Sequence, residues 1–161
     1  MQFQFATANR IIFGRDSITE LPNLIASYSH SVLLVTGSKP NRYNEIIGRL
    51  QANGCDITTY SVGSEPTVQL VNEGASIALD HNTEVVVAIG GGSVIDAGKA
   101  IAAISTNQGD LLTYLEVVGA GQPLTQNPLP LIAIPTTAGT GAEVTKNAVI
   151  NVESRHVKVS L

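Results

Sequence analysis

The run Gly90-Gly91-Gly92-Ser93-Val94-Ile95-Asp96-Ala97-Gly98-Lys99 follows the apolar stretch Val85 to Ile89 without a break. A helix start leaves backbone N–H groups without partners and carries partial positive charge, and glycines let an anion approach that backbone closely. The chemistry such a turn performs is anion binding, and a pyrophosphate is its natural occupant. Ser93 and Asp96 have the spacing of a capping box, Ser at N-cap and an acid at N3. Asp96 is therefore expected to shape the loop, or to meet a hydroxyl or amide of the ligand rather than a phosphate. Lys99, three residues on, is placed to pair with it along the helix.

A second small-residue loop, Pro135-Thr136-Thr137-Ala138-Gly139-Thr140-Gly141-Ala142-Glu143, leaves the apolar run Leu131 to Ile134. Its hydroxyls suit ribose and phosphate oxygens, although threonines also gather in turns simply to satisfy local backbone groups. Taken alone, each loop has a plain structural reading. At the carboxyl ends of neighbouring strands, the two would flank the crevice where open α/β sheets bind ligands. His30, His81 and His156 lie far apart with no i, i+4 or short-loop pairing, so none reads as a metal ligand.

The elements that must hold these loops alternate. Ser31 to Thr36, Ile57 to Val62, Val85 to Ile89 and Leu131 to Ile134 read as buried strands. Between them, Ile46, Ile47 and Leu50 mark one helix face, Val68, Val71, Ala75, Ala78 and Leu79 a second, and Ser93 to Ser105 a third helix. An earlier helix is expected from Asp16-Ser17, with Glu20 completing a capping box, to about Ser29. The alternation of Phe3 and Phe5 with Gln2 and Gln4, followed by Arg10 to Phe13, predicts an opening β-hairpin whose edge could pair with another copy. Asp110 to Val118 reads as a short helix and Gly119 to Pro130 as an exposed connection, while Thr145 to Val152 and His156 to Leu161 read as strands. Repeated strand and helix units predict right-handed crossovers and a doubly wound α/β fold with a mostly parallel sheet.

At 161 residues the chain suits one domain, residues 1–161, with a core of Ile, Leu, Val and Ala. A formal charge of −4 and scattered Lys and Arg offer no basic field, which argues against nucleic acid as a partner. The single cysteine, Cys55, allows neither an internal disulfide nor a thiolate metal cluster, so a reducing cytoplasm is the expected setting. The N-terminus lacks the features of a signal peptide and no apolar run approaches a membrane span, so no membrane partner is expected.

With these motifs together, the chain resembles the nucleotide-binding half of the iron-containing, or group III, alcohol dehydrogenases. Gly90 to Ser93 with Asp96 and Lys99 is similar to that family's GGGSxxDxxK phosphate motif, and Pro135 to Thr145 to its PTTAGTGSEVT signature. The resemblance implies a Rossmann-like domain that binds NAD or NADP. Gly91, Gly92 and Ser93 would lie on the pyrophosphate, Thr136, Thr137 and Thr140 around adenine, ribose and phosphate, and Lys158 within reach of a ribose. Gly90, Asp96, Thr145 and the turn residues Gly37 and Ser38 complete the expected cofactor-binding set. An acid after the first central strand would bind the adenosine 2′-hydroxyl and repel a 2′-phosphate. Gly37 stands where NAD-preferring relatives carry Asp, with Ser38, Lys39 and Arg42 close behind, which tilts the choice slightly toward NADP. The family's iron, or another divalent metal, is held by one Asp and three His of a helical domain that this sequence does not contain, so no catalytic or metal residue is assigned. Two readings follow: the cofactor-binding half of an alcohol dehydrogenase, catalytically incomplete alone and expected to form a homo-oligomer, or a stand-alone nucleotide-binding or interaction module without enzymatic activity.

Overall fold

Short β-branched runs whose residues are buried to both sides build the centre of the molecule. The computed structural model describes residues 2–3, 7–107 and 109–161. Strand β1 (Ser31–Gly37) turns Leu33 and Val35 to one side and Val32 and Leu34 to the other, all buried, as the period of two requires for a strand covered on both faces. Strand β3 (Val85–Gly90) is buried along its whole length and lies between β1 and β4 (Leu131–Pro135). With β2 (Asp56–Val62) beyond β1, the sheet order is β2-β1-β3-β4 and every pairing is parallel.

Helices cover both faces. Helices α1 (Leu21–Ala26) and α2 (Asn44–Ala52) bury Leu21, Ile25 and Leu50 against Val32, Leu34, Val85 and Val87. On the other face α3 (Val68–Asp80) and α4 (Gly92–Ile104) pack over Leu33, Val35, Val86 and Ala88. A Cβ atom at Gly98 would lie 2.7 Å from that of Ala88, so α4 can approach β3 this closely only with glycine there. The result is the doubly wound α/β arrangement expected from the alternation. An antiparallel hairpin of β5 (Val149–Val152) and β6 (Val157–Ser160) completes the fold, with Ile150 buried in the α3 and α4 cluster.

Three local expectations are corrected. Arg10 to Phe13 forms no strand, and Gln4 to Ala6, in the other arm of the expected hairpin, lie outside the described residues. Ile11 and Phe13 are 66% and 98% exposed, so this apolar run has no surface to pack on, and an isolated hairpin without a buried face is marginal in water. The first helix does not start on a Ser17 cap. Ser17–Glu20 is a 3-10 turn with no capping bond from a side chain, and α1 proper begins at Leu21, because Pro22 has no N–H and fits only in a first turn. Asp110 to Val118 contains one 3-10 turn, Leu111–Thr113, whose Leu112 N–H is capped by Asp110 Oδ1 at 2.7 Å. The long connection after it has no regular element and is anchored by buried Asn107. Its amide donates to the Gln126 carbonyl at 3.1 Å, and its Oδ1 accepts from the N–H groups of Thr125 and Gln126 at 2.9 and 3.0 Å.

Candidate functional site: two loops at the carboxyl edge of the sheet

Parallel pairing brings Gly90 opposite Pro135, so the glycine turn after β3 and the threonine loop after β4 leave the sheet together. The Thr136 N–H donates to the Gly90 carbonyl at 2.8 Å, which locks their departure. Further out they touch through side chains. A Cβ at Gly91 would meet Thr137 Oγ1 at 3.5 Å, and one at Gly92 would meet the Thr140 side chain at 3.1 to 3.4 Å. Glycine at 92 thus keeps open a space that a side chain would fill against Thr140.

Helix α4 starts at Gly92, with Gly91 in extended conformation as its N-cap and no side chain capping it. The expected Ser93 and Asp96 capping box is therefore not formed: Ser93 is already inside the first turn. No side chain hydrogen-bonds to the helix start, although Thr137 and Thr140 lie beside it, so its first N–H groups are left for another partner. Asp96 instead pairs with Lys99 at 3.0 Å, and both side chains are close to buried, at 14% and 11% exposure. Lys99 Nζ also donates to the Asn147 carbonyl at 2.5 Å and to Thr145 Oγ1 at 3.3 Å. An ammonium has three donors, so Lys99 is fully engaged as a strap between α4 and the segment that follows the threonine loop.

Beside the loops lies an open cleft of about 670 Å³, lined by Gly92, Ser93, Asp96, Thr140 and Thr145 among the expected residues. Gly90, Gly91, Thr136 and Thr137 stand where the two strands end and do not line this cleft. Gly37 ends β1 one strand away, beside Val94 of the first turn of α4, and a Cβ there would lie 3.9 Å from Val94 Cγ2. Ser38 abuts the turn after β2, 4.0 Å from where a Cβ on Gly63 would stand. Lys158, on β6, does not line the cleft and is paired with Glu65 at 2.5 Å.

Thr7, Asn147 and Val149 also line the cleft and were not anticipated from the sequence. Thr7 Oγ1 donates to the Val144 carbonyl at 3.0 Å, a contact across 137 positions that no local pattern announces. A larger cleft of about 1030 Å³ runs between the N-terminal segment and β4, sharing Thr7, Ala142, Thr145 and Lys146 with the first, with Glu143 in its wall. Among the described residues, Glu143 Oε2 is buried without a hydrogen-bond partner. No group of three or more His, Cys, Asp or Glu gathers as a metal-ligand set among the described residues, and none of their helices is long and apolar enough to cross a membrane.

The chain is similar in sequence and fold to known proteins. Alcohol dehydrogenase 4 of Schizosaccharomyces pombe is 36% identical over 155 residues, taking in 93% of this chain and 36% of that protein. Probable NADH-dependent butanol dehydrogenase 1 of Bacillus subtilis is 34% identical over 153 residues, 92% of this chain and 38% of the other. The crystal structure of sulfoacetaldehyde reductase from Bifidobacterium kashiwanohense in complex with NAD+ has a TM-score of 0.84 at 30% identity, covering 100% of this chain and 43% of that one. NADH-dependent butanol dehydrogenase A from Thermotoga maritima gives 0.87 at 28% identity, covering 99% and 41%. The chain spans less than half the length of these relatives. Residues 8–161 match the family model described as iron-containing alcohol dehydrogenase, and it is to that family that the chain belongs.

Proposed function

We propose that residues 1–161 form the dinucleotide-binding domain of an NAD(P)(H)-dependent alcohol dehydrogenase, with the metal-binding helical domain lying outside them. The observation that carries this reading is the meeting of the glycine turn and the threonine loop over an α4 start that no side chain caps. A pyrophosphate fits there by chemistry as well as by space, since oriented N–H groups and hydroxyls surround the cleft. Gly91, Gly92 and Ser93 would hold it, Thr136, Thr137, Thr140 and Thr145 would bond ribose and phosphate oxygens, and Asp96 would meet a hydroxyl or amide. The dinucleotide, when bound, supplies a hydride acceptor or donor, and the protein's part is to fix its position. On this reading alcohol oxidation belongs to the whole enzyme, with its metal-binding helical domain, and this domain supplies the dinucleotide.

The NADH named for the Bacillus and Thermotoga relatives and the NAD+ of the Bifidobacterium complex support a nicotinamide dinucleotide as the ligand. Gly37 brings no carboxylate to the adenosine side, and exposed Lys39 and Arg42 follow it, which favours tolerance of NADP. Buried, unpaired Cys55 agrees with a reducing cytoplasm. Exposed Ile11 and Phe13 supply an apolar flank for a second copy of the chain, in place of the hairpin edge. Titration with NADH and NADPH tests the central reading. The purified chain is expected to bind both and to leave alcohol unoxidised, and Gly92→Val is expected to weaken binding at least about tenfold by driving a side chain into Thr140. Equal affinity in wild type and variant, or alcohol turnover by the chain alone, overturns it.

A further inference from the structure

Among the described residues that line the cleft beside the two loops, Lys146 is the single cation. Its backbone is held from both sides. Lys99 Nζ donates to Thr145 Oγ1 at 3.3 Å and to the Asn147 carbonyl at 2.5 Å, so the residues before and after Lys146 are strapped to α4, whose uncapped start lines the same cleft. Its charge, by contrast, is uncommitted. Lys146 is exposed, and its ammonium makes no hydrogen bond or ion pair with any described residue. The nearby acids do not hold it: Asp96 is taken by Lys99, and Glu143 Oε2, in the wall of the larger cleft, is buried with no hydrogen-bond partner among the described residues.

The charge balance of the cleft gives that lysine a use. The diphosphate of a dinucleotide carries a negative charge on each phosphate. Against it the cleft sets the partial charge of the α4 start, roughly half an elementary charge, while Asp96 and Lys99 cancel one another. Most of the anion is left unanswered unless Lys146 answers it. We propose that Lys146 is the cation that neutralises the diphosphate in this cleft, the α4 start supplying N–H donors and Lys146 the net charge. The inference rests on the dinucleotide reading above and adds to it a binding residue that neither sequence motif contains. An ammonium on a flexible stem, with donors free to rotate, suits phosphate oxygens as a point charge, and a guanidinium would serve in its place. Because Lys146 is exposed, its attraction for the anion is screened by salt, which separates a charge effect from a packing effect.

The experiment is a calorimetric titration of NADH, NADPH and ADP-ribose against wild type, Lys146→Met and Lys146→Arg, with circular dichroism confirming that each is folded. ADP-ribose keeps the diphosphate and lacks the nicotinamide. At low salt Lys146→Met is expected to weaken all three ligands alike, by roughly three- to tenfold, and Lys146→Arg to stay within about threefold of wild type. At about 1 M salt, where the screening length falls to about 3 Å, the gap between wild type and Lys146→Met is expected to close to about twofold or less. A loss confined to NADPH would put the lysine at a 2′-phosphate, and a loss that spares ADP-ribose would put it at the nicotinamide. Either result overturns the assignment while leaving the dinucleotide site intact, as does a Lys146→Met variant that binds like wild type at low salt, a loss that salt does not reduce, or an arginine variant as weak as the methionine one. Failure of the wild type to bind any of the three overturns the underlying reading and the assignment with it.

Discussion

Lys99 meets three acceptors on two segments, Asp96 on its own helix and Thr145 and Asn147 beyond the threonine loop. Removing the cation leaves the Asp96 carboxylate, only 14% exposed, without its partner, and breaking one side of so buried a pair costs more than the pair itself contributes. Lys99→Met is therefore expected to lower the unfolding free energy by about 3 kcal/mol, and adding Asp96→Leu to restore at least roughly half of it. Urea denaturation of the single and double variants checks this, and equal losses would show that Lys99 acts without Asp96. Tyr60 makes a second residue-level case. Its hydroxyl donates to the Leu70 carbonyl at 2.8 Å with Glu73 3.3 Å away, and burial, then the Glu73 charge, push its pKa from 10.0 up to about 12. Between those values the unfolded chain ionises at this residue while the folded one holds its proton. The stability Tyr60 contributes is complete below pH 10.0 and is lost as pH climbs to about 12. Tyr60→Phe is expected to make stability fall less steeply across that window, and a profile with unchanged slope would remove the argument.

At the scale of elements, two contacts decide how the helices and connections sit. Gly98 lets α4 lie on β3, and a methyl group there, 2.7 Å from Ala88 Cβ, forces helix and strand apart. Gly98→Ala is expected to cost about 1–3 kcal/mol despite the better helix propensity of alanine, and a stabilised variant would show that packing does not dominate here. Asn107 holds the connection through Thr125 and Gln126, so Asn107→Ala is expected to cost about 2–3 kcal/mol and to speed hydrogen exchange at those two amides first. Protection at Thr125 and Gln126 that survives the substitution would count against that anchor. What the sequence made legible follows the same division. Helices α3 and α4 and strands β1 and β3 declare themselves because each buries a continuous stripe or run, and β2 and β4, only partly buried, declare themselves by their β-branched and apolar residues between turns. The start of α1 departs from the Ser17 and Glu20 pattern because Pro22 fixes the first helical turn, and the hairpin fails because alternation of apolar residues says nothing about whether a surface exists to receive them. The two loops were readable from residue type alone. The failed capping box at Ser93 was not, since Gly91 takes the N-cap conformation without a side chain to signal it. Nor was the Glu65 and Lys158 pair, whose partners stand 93 positions apart.

For the molecule as a whole, the parallel sheet sends the turns after all four strands out at one carboxyl edge, and the proposed dinucleotide site lies at that edge between the turns after β3 and β4. A ligand that binds only the folded state adds stability by mass action, about 2.7 kcal/mol at a hundred times its Kd. For a chain of this length each kcal/mol raises Tm by about 2–4 °C, so saturating NADH or NADPH is expected to raise it by roughly 5–10 °C. The gain should not be local. Exchange is expected to slow at the amides of 90–93 and of 136–145 together, because Thr136 is bonded to Gly90 and Thr140 lies against Gly92. Gly92→Val separates ligand effects from general solvent effects: packing against Thr140 is expected to lower its Tm by a few degrees without ligand, and it is expected to gain less than about 2 °C with it. Protection confined to one loop, or a thermal gain that Gly92→Val retains, would mean that the dinucleotide binds elsewhere and that the meeting of the two loops serves only to close the sheet.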